Sequence, residues 1–499
     1  MIIKILENFK KDKTIVFVLK EKDLIQKHSF WKLFDVYDQQ YILNFLKINK
    51  LKAGSYYNLI LPSRKEIFIF GEVENLKFYH RKAIILARKI VFISRQLKKN
   101  NLILNFDDFK THDFLLNNLD LVQILATQFE IANFEFTNYK NPPKEGWSFV
   151  EEIQIAFNKK EFNLKELEKS LNDGKIIGEE INEARKLANI PGGDMTPQKL
   201  AESTKNALKN LNVKVKVLNK KEIEKIGMGG IIGVSRGSIE EPRFIIVEYF
   251  GGNKNEKPII LIGKGITFDT GGLNLKPSEG IYEMHMDMTG GAVVIHLIKA
   301  FARLKIKRNI VGIVPACENM PSGSSYRPGD ILKTLSGKTI EVLNTDAEGR
   351  IILADAIEYA QKYYKPSLII DLATLTGAAM VALGLRASAI FSNKNDLIFN
   401  LQKAGEVCGD FVWPLPLWEE YEEEIKGNFG DIANVGKFRY GGAIIGATFL
   451  HQFIKESGIP WVHIDIAPRM TSIEGEFLAK GSAAPGLALI VSFILNFYK

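Results

Sequence analysis

The stretch PIILIGKGITFDTGGLNLKPSEG, residues 258–280, begins as a strand and ends as a polar, glycine-rich loop. After its proline, PIILIG is apolar throughout. Such a run suits a strand buried on both faces, as in a parallel sheet covered by helices. Similar runs are FIIVEYF (244–250), NIVGIVPA (309–316), SLIIDLAT (367–374) and WVHIDIA (461–467), and they alternate with helical stretches. The expected fold is therefore α/β, with a mostly parallel central sheet and helices on both faces. In such sheets the chemistry gathers in loops beyond the carboxyl ends of the strands.

The rest of the chain divides around this pattern. Residues 1–160 alternate short apolar runs (KTIVFVL, EIFIFG, NLILNF, EEIQIAF) with helical segments, which predicts a small N-terminal α/β domain. NPPKEG at 141–146 is a turn signal before the last of those strands. Residues 161–190 read as a connecting helix, dense in charge, with an interruption expected near Gly174. Residues 191–499 form the larger domain.

Composition narrows the class. A hydrophobic fraction of 46% and a charged fraction of 25% are those of an ordinary globular protein. The two cysteines, Cys317 and Cys408, are too few for a disulfide framework, so a reducing compartment is expected. MIIKILENFKKDK is broken by charge too early for a signal peptide. No apolar run reaches the ~18 residues of a membrane helix. The excess charge of +8 lies wholly in the first 160 residues, which hold 26 Lys and Arg against 18 Asp and Glu. Much of it is in RKAIILARKIVFISRQLKK, 81–99. That segment reads either as a solvated helix face or as an anionic-partner patch, with nucleic acid the candidate partner.

The polar exceptions to the apolar pattern point to chemistry. Lys264 comes directly off PIILIG, followed by Asp269, the pair Gly271-Gly272 and Lys276. Asp287 stands just before Gly290-Gly291 and a helix. NTDAEGR, 344–350, adds Asp346, Glu348 and Arg350 at alternate positions. In an extended segment these three side chains would face one spot. His285 would likewise face the same way as Asp287, as a neighbour rather than a ligand. Four carboxylates meeting in a partly dry site would repel unless cations lay between them. Hard oxygen ligands suit Mg²⁺, Mn²⁺ or Zn²⁺, and bridging carboxylates could hold two ions. Taken singly, each acid could instead be a turn or cap residue.

KGITFDTGGLNLKP and NTDAEGR together resemble the signature of the cytosolic leucine aminopeptidases, the M17 metallopeptidases. The resemblance covers roughly residues 160–499, through DLATLTGA and WVHIDIA. It implies a metal-dependent aminopeptidase that releases N-terminal, leucine-like residues from peptides in the cytoplasm, as a homo-hexamer away from membranes. By matching positions it implies one metal site of Lys264, Asp269, Asp287 and Glu348. A second, more exchangeable site uses Asp269, Asp346 and Glu348. The ions would be Mn²⁺ or Zn²⁺, with Mg²⁺ or Co²⁺ acceptable. Lys276 and Arg350 match catalytic positions, with bicarbonate at Arg350. Met284, Thr374, Leu375 and Gly377 match substrate-binding positions. IPGGDMTP (190–197) and Thr270 depart from the family's usual residues, but none of these is a ligand. A two-metal phosphoesterase is the rival reading, and an added nucleic-acid role for the basic N-terminal domain a third.

Overall fold

The computed structural model describes residues 1–7, 13–19, 22–49, 51–52, 54–71, 80–110, 116–158 and 160–498. Residues 8–12 of the N-terminal stretch considered above lie outside them. The chain forms two compact units. One comprises residues 1–179 with 474–479, the other 180–473 with 480–499.

The first unit is built on six strands: β1 (Ile2–Ile5), β2 (Thr14–Leu19), β3 (Tyr56–Ile60), β4 (Glu66–Gly71), β5 (Asn101–Asn105) and β6 (Glu152–Ala156). They pair in the order β1-β6-β5-β2-β4-β3, parallel except for the antiparallel edge β3–β4. One core cluster gathers Val16, Phe68, Leu102, Phe129 and Ile153. The other gathers Ile15, Phe17, Ile42, Ile67 and Ile103. Neighbouring strand residues thus go to opposite faces, as the pleat requires.

The basic segment is a solvated face only in part, with Arg81, Lys82 and Lys98 exposed. It is the helix His80–Gln96. Arg88 and Lys89 are buried. Arg88 Nε donates to Gln128 Oε1 at 2.6 Å, and Lys89 Nζ to the Gly54 carbonyl at 2.6 Å. Arg95 donates to the carbonyls of Ala132 and Phe134 and pairs with Glu135. These charges hold the unit together from inside. The helix Leu164–Ala188 also runs unbroken through Gly174. A β-carbon at Gly174 would collide with the Gln123 carbonyl, so the glycine serves close helix packing rather than a break.

The second unit carries the larger sheet. Its strands are β7 (Lys214–Leu218), β8 (Arg243–Phe250), β9 (Ile259–Gly263), β10 (Gly265–Asp269), β11 (Asn309–Asn319), β14 (Leu368–Ala373), β15 (Ser388–Ser392), β16 (Val412–Pro414) and β18 (Trp461–Asp465). Short strands β12 (Ile331–Lys333), β13 (Thr339–Glu341) and β17 (Ile432–Ala433) form a separate small sheet. The large sheet is ordered β16-β15-β18-β14-β9-β11-β8-β7, with β10 paired to β11. Its centre, β18-β14-β9-β11, is parallel, and antiparallel pairs flank it. Helices cover both faces. On one, Gly312 of β11 admits the helix Thr289–Leu304, and an added β-carbon would come within 3.0 Å of Val294 and Ile298. On the other, Val311 and Ile313 join a core with Ile351, Leu353 and Ile357 of the helix Glu348–Tyr364. Each such fully buried aliphatic side chain contributes roughly 1.5–3 kcal/mol relative to exposure.

Asp355 is the polar exception on that helix. It is fully buried, and its carboxylate accepts from the Ile231 and Leu335 amides at 3.0 and 2.8 Å. Burial pushes its pKa from 3.8 up to about 7, against those backbone donors. A carboxyl whose folded pKa is raised contributes fully below the unfolded pKa and loses that contribution as pH rises through the folded value. An asparagine amide mimics the neutral form. The Asp355→Asn variant should therefore gain stability relative to wild type as the pH rises from about 4 to about 7. Denaturant midpoints at several pH values test this, and a difference independent of pH would refute it.

Candidate active site

The carboxyl ends of β9, β10, β11, β14 and β18 converge on one buried cluster. Lys264 follows β9 directly. Its backbone is fixed from both sides: its amide donates to the Leu372 carbonyl at 3.0 Å, and its carbonyl accepts from Gly291 at 2.8 Å. Its side chain is 3% exposed and lies 2.8 Å from both Asp287 and Glu348. Nζ also donates to the Thr374 carbonyl at 3.0 Å. Burial alone would push this ammonium down, but the charges of Asp287, Glu348 and Asp269 outweigh it and hold its pKa above the ordinary value.

Asp269 ends β10. One oxygen accepts from Gly271 N at 2.9 Å and from Asn319 Nδ2 at 2.8 Å. The other lies 2.8 Å from Lys276 Nζ. Lys276 also pairs with Asp346. Asp287 accepts from the Thr374 hydroxyl at 2.7 Å. Burial first, then the neighbouring carboxylates, raise the Asp287 carboxyl to about 8, against Lys264. Asp346 and Glu348 are raised as well, by burial and then by Asp269. Gly271 and Gly272 have φ of 86° and 64°, a turn that favours glycine and brings Lys276 back over Asp269.

Asp269, Asp346 and Glu348 each offer an oxygen, and these oxygens lie within 4.8 Å of one another. Glu348 Oε2 is buried with no hydrogen-bond partner. Four carboxylates against two ammoniums leave two formal negative charges in a desolvated place. The donor set fits divalent cations on all three counts.

Two local readings of the sequence change here. NTDAEGR is not extended: a turn leads into the helix that starts at Glu348. Residues two apart on a helix point to nearly opposite sides. Asp346 and Glu348 reach the cluster, whereas Arg350 takes another direction, toward Gly446, where its Nη2 lies near the side chains of Leu375 and Thr376. It is buried, its Nη1 donates to the Asn434 carbonyl at 2.8 Å, and its Nε has no partner. His285 sits in the single 3₁₀ turn Met284–Met286, so strand alternation does not align it with Asp287. A run of three residues is too short to separate a period of 2 from one of 3.6.

Several supporting residues gave no motif. Asn319, at the end of β11, holds both Asp269 and the Thr345 carbonyl. Its place as a polar end to an apolar strand was a usable cue. Tyr326 donates to the same Thr345 carbonyl at 2.6 Å. Asp465, at the end of β18, accepts from the Leu375 amide at 3.1 Å and the Thr376 hydroxyl at 2.6 Å, and so sets the loop 374–377. Thr374 turns its hydroxyl to Asp287, Met284 and Leu375 are half-buried, and Gly377 is exposed at the start of the helix Gly377–Leu383.

The catalytic-domain model of the cytosol aminopeptidase family matches residues 182–491. The chain belongs to the cytosol aminopeptidase family. It is thus a metal-dependent aminopeptidase, a hydrolase that works from the amino end of peptides. A probable cytosol aminopeptidase of Methylobacillus flagellatus is 42% identical over 365 residues, 73% of this chain and 72% of its own length. One from Syntrophotalea carbinolica is 41% identical over 374 residues, 75% and 74% of the two chains. The solved cytosol aminopeptidase of Coxiella burnetii superposes with a TM-score of 0.81 at 28% identity, over 99% of each chain. The bottromycin maturation enzyme BotP, solved in complex with Mn, shares the fold with a TM-score of 0.83 at 24% identity, over 98% of this chain and 100% of its own. None of these likenesses supports the phosphoesterase or nucleic-acid readings. Among the described residues, no helix is long and apolar enough to cross a membrane.

Gly349 links the helix start to Lys264 in this family member. A β-carbon there would stand 2.5 Å from Lys264 Cε and 2.8 Å from Nζ. Gly349→Ala should displace the lysine and lower kcat ~10–100-fold, as loss of support around a buried polar site does, with helix content unchanged. Wild-type turnover in that variant would show that Lys264 need not lie where it does.

Proposed function

We propose that the chain releases leucine-like residues from peptides with a free amino terminus, using two divalent ions held by Lys264, Asp269, Asp287, Asp346 and Glu348. The observation that carries this reading is the buried cluster of excess negative charge in which Glu348 Oε2 is left unpartnered. One ion would be held by Lys264, Asp269, Asp287 and Glu348, the other by Asp269, Asp346 and Glu348. Mn²⁺ and Zn²⁺ suit this donor set, and Mg²⁺ or Co²⁺ is compatible with it. When bound, the ions supply Lewis acidity to the peptide carbonyl and a more acidic water.

The remaining work falls to the chain's own groups. Lys264, inside the cluster, must lose its proton to serve as a ligand, so a proton and a metal compete for it. Lys276 is the outer lysine, 16% exposed against 3% for Lys264. It stands where a charged donor can face the oxyanion that develops on the scissile carbonyl. Arg350, with Nε unpartnered, presents a planar fork to a small anion, and bicarbonate fits it. Met284, Thr374 and Gly377 would line the first side-chain pocket, and Leu375 would hold the substrate backbone. Such a pocket discriminates by only ~1–3 kcal/mol per methylene, so specificity is broad. The family resemblance supports a hexamer, and relatives named cytosol aminopeptidases support a place in the cytoplasm.

Metal stoichiometry beside kcat on a leucine anilide separates the two lysines. Lys276→Ala should keep both metals and lose roughly 10²–10³ in kcat. Lys264→Ala should lose one metal. Chelation should abolish wild-type activity, and Mn²⁺, the ion present with BotP, should restore it. Loss of a metal from Lys276→Ala but not from Lys264→Ala would reverse the assignments.

A further inference from the structure

Asn434 lies just beyond β17, far in sequence from every residue of the metal cluster, and is fully buried. Its side-chain amide is spent on the loop that carries Asp346 and Glu348. Oδ1 accepts from the Leu343 amide at 2.8 Å and the Asn344 amide at 3.3 Å. Nδ2 donates to the Asn344 carbonyl at 2.6 Å and the Ala347 carbonyl at 3.5 Å. Its backbone amide donates to the Glu341 carbonyl at 3.0 Å. Its backbone carbonyl accepts from Arg350 Nη1 at 2.8 Å.

One residue therefore grips the turn before Glu348 with its side chain and steers the guanidinium after it with its main chain. The turn needs such a partner. Residues 343–347 belong to no strand, and a buried loop amide or carbonyl without a partner destabilises the fold. Asparagine alone among side chains of this size presents an acceptor and two donors in one plane, matching two amides and two carbonyls. Aspartate keeps the shape but would turn a lone pair toward the Asn344 and Ala347 carbonyls.

We propose that Asn434 is a positioning residue for the reaction, setting the distance between the metal-holding carboxylates and Arg350. It touches neither metal nor substrate and acts through the 343–347 turn. The inference rests on the reading that Asp346 and Glu348 hold metal.

The test uses the full-length protein with Asn434→Asp and Asn434→Ser, the second removing the amide without burying a charge. Asp431→Ala is the control. Asp431 accepts from Thr339 N at 2.7 Å and Thr339 Oγ1 at 2.8 Å, so its loss loosens the same small sheet without touching the amide. Glu348→Gln serves as the ligand comparator. Metal dissociation constants, the visible absorption of the Co²⁺-loaded protein, and kcat and KM are measured well below each melting temperature. Asn434→Asp and Asn434→Ser should weaken metal binding ~10–100-fold and alter the Co²⁺ spectrum at full occupancy. kcat should fall more than KM changes, and Asp431→Ala should stay near wild type in all three readouts. Three outcomes overturn the proposal: an unaltered spectrum with metal affinity within twofold of wild type in the folded Asn434 variants, a failure of both to fold, or an equal loss in Asp431→Ala. If Glu348→Gln itself binds both metals normally, the ligand assignment has failed, and that result is distinct from a failure of Asn434.

Discussion

Four carboxylates share one nearly dry space in this protein, and the rest of the second unit is arranged around that crowding. Asp269, Asp287 and Glu348 are each almost wholly buried, and the charged forms of Asp287 and Glu348 are disfavoured by burial and then by the neighbouring carboxylates. Two lysines offset half of the charge. A bound metal would offset what remains. A parallel sheet is suited to this task, because several strand ends open at one rim and each can deliver a side chain without exposing the core. Glycines at 263, 290 and 291 let the strands and the helix Thr289–Leu304 approach closely enough to seal the cluster's floor.

The same constraint separates roles that look alike in sequence. Lys264 and Lys276 differ by a short loop, yet one is sealed under Asp287 and Glu348 and the other sits toward solvent with Asp269 and Asp346. The inner amine meets Asp287, Glu348 and the Thr374 carbonyl, whereas the outer one is the more exposed of the two. Arg350 shares a helix turn with Glu348 but points the other way, where Asn434 receives it. Supporting polar groups complete the frame: Asn319 on Asp269, Thr374 on Asp287, and Asp465 on the loop beside them.

The central strands and the four acids were legible in sequence for a physical reason. A strand buried on both faces leaves an unbroken apolar run, and a charged residue ending such a run is conspicuous. Family resemblance supplied the roles that spacing alone left open. Arg350's direction was not legible, because acids and a base at alternate positions fit a strand as well as the first turn of a helix. Asn434 and Asp465 were not legible either, since their partners lie about 90 residues away and no local pattern marks that contact. The basic segment misled in the opposite sense. Its charge is real, but Arg88, Lys89 and Arg95 spend it on internal acceptors.

The most direct measurement is anomalous diffraction from crystals of the protein loaded with Mn²⁺. Two anomalous peaks are expected among Asp269, Asp287, Asp346 and Glu348, with Lys264 Nζ bonded to one ion and Lys276 Nζ to neither. A single peak at saturating metal, peaks outside the cluster, or Lys276 Nζ among the ligands would contradict that expectation.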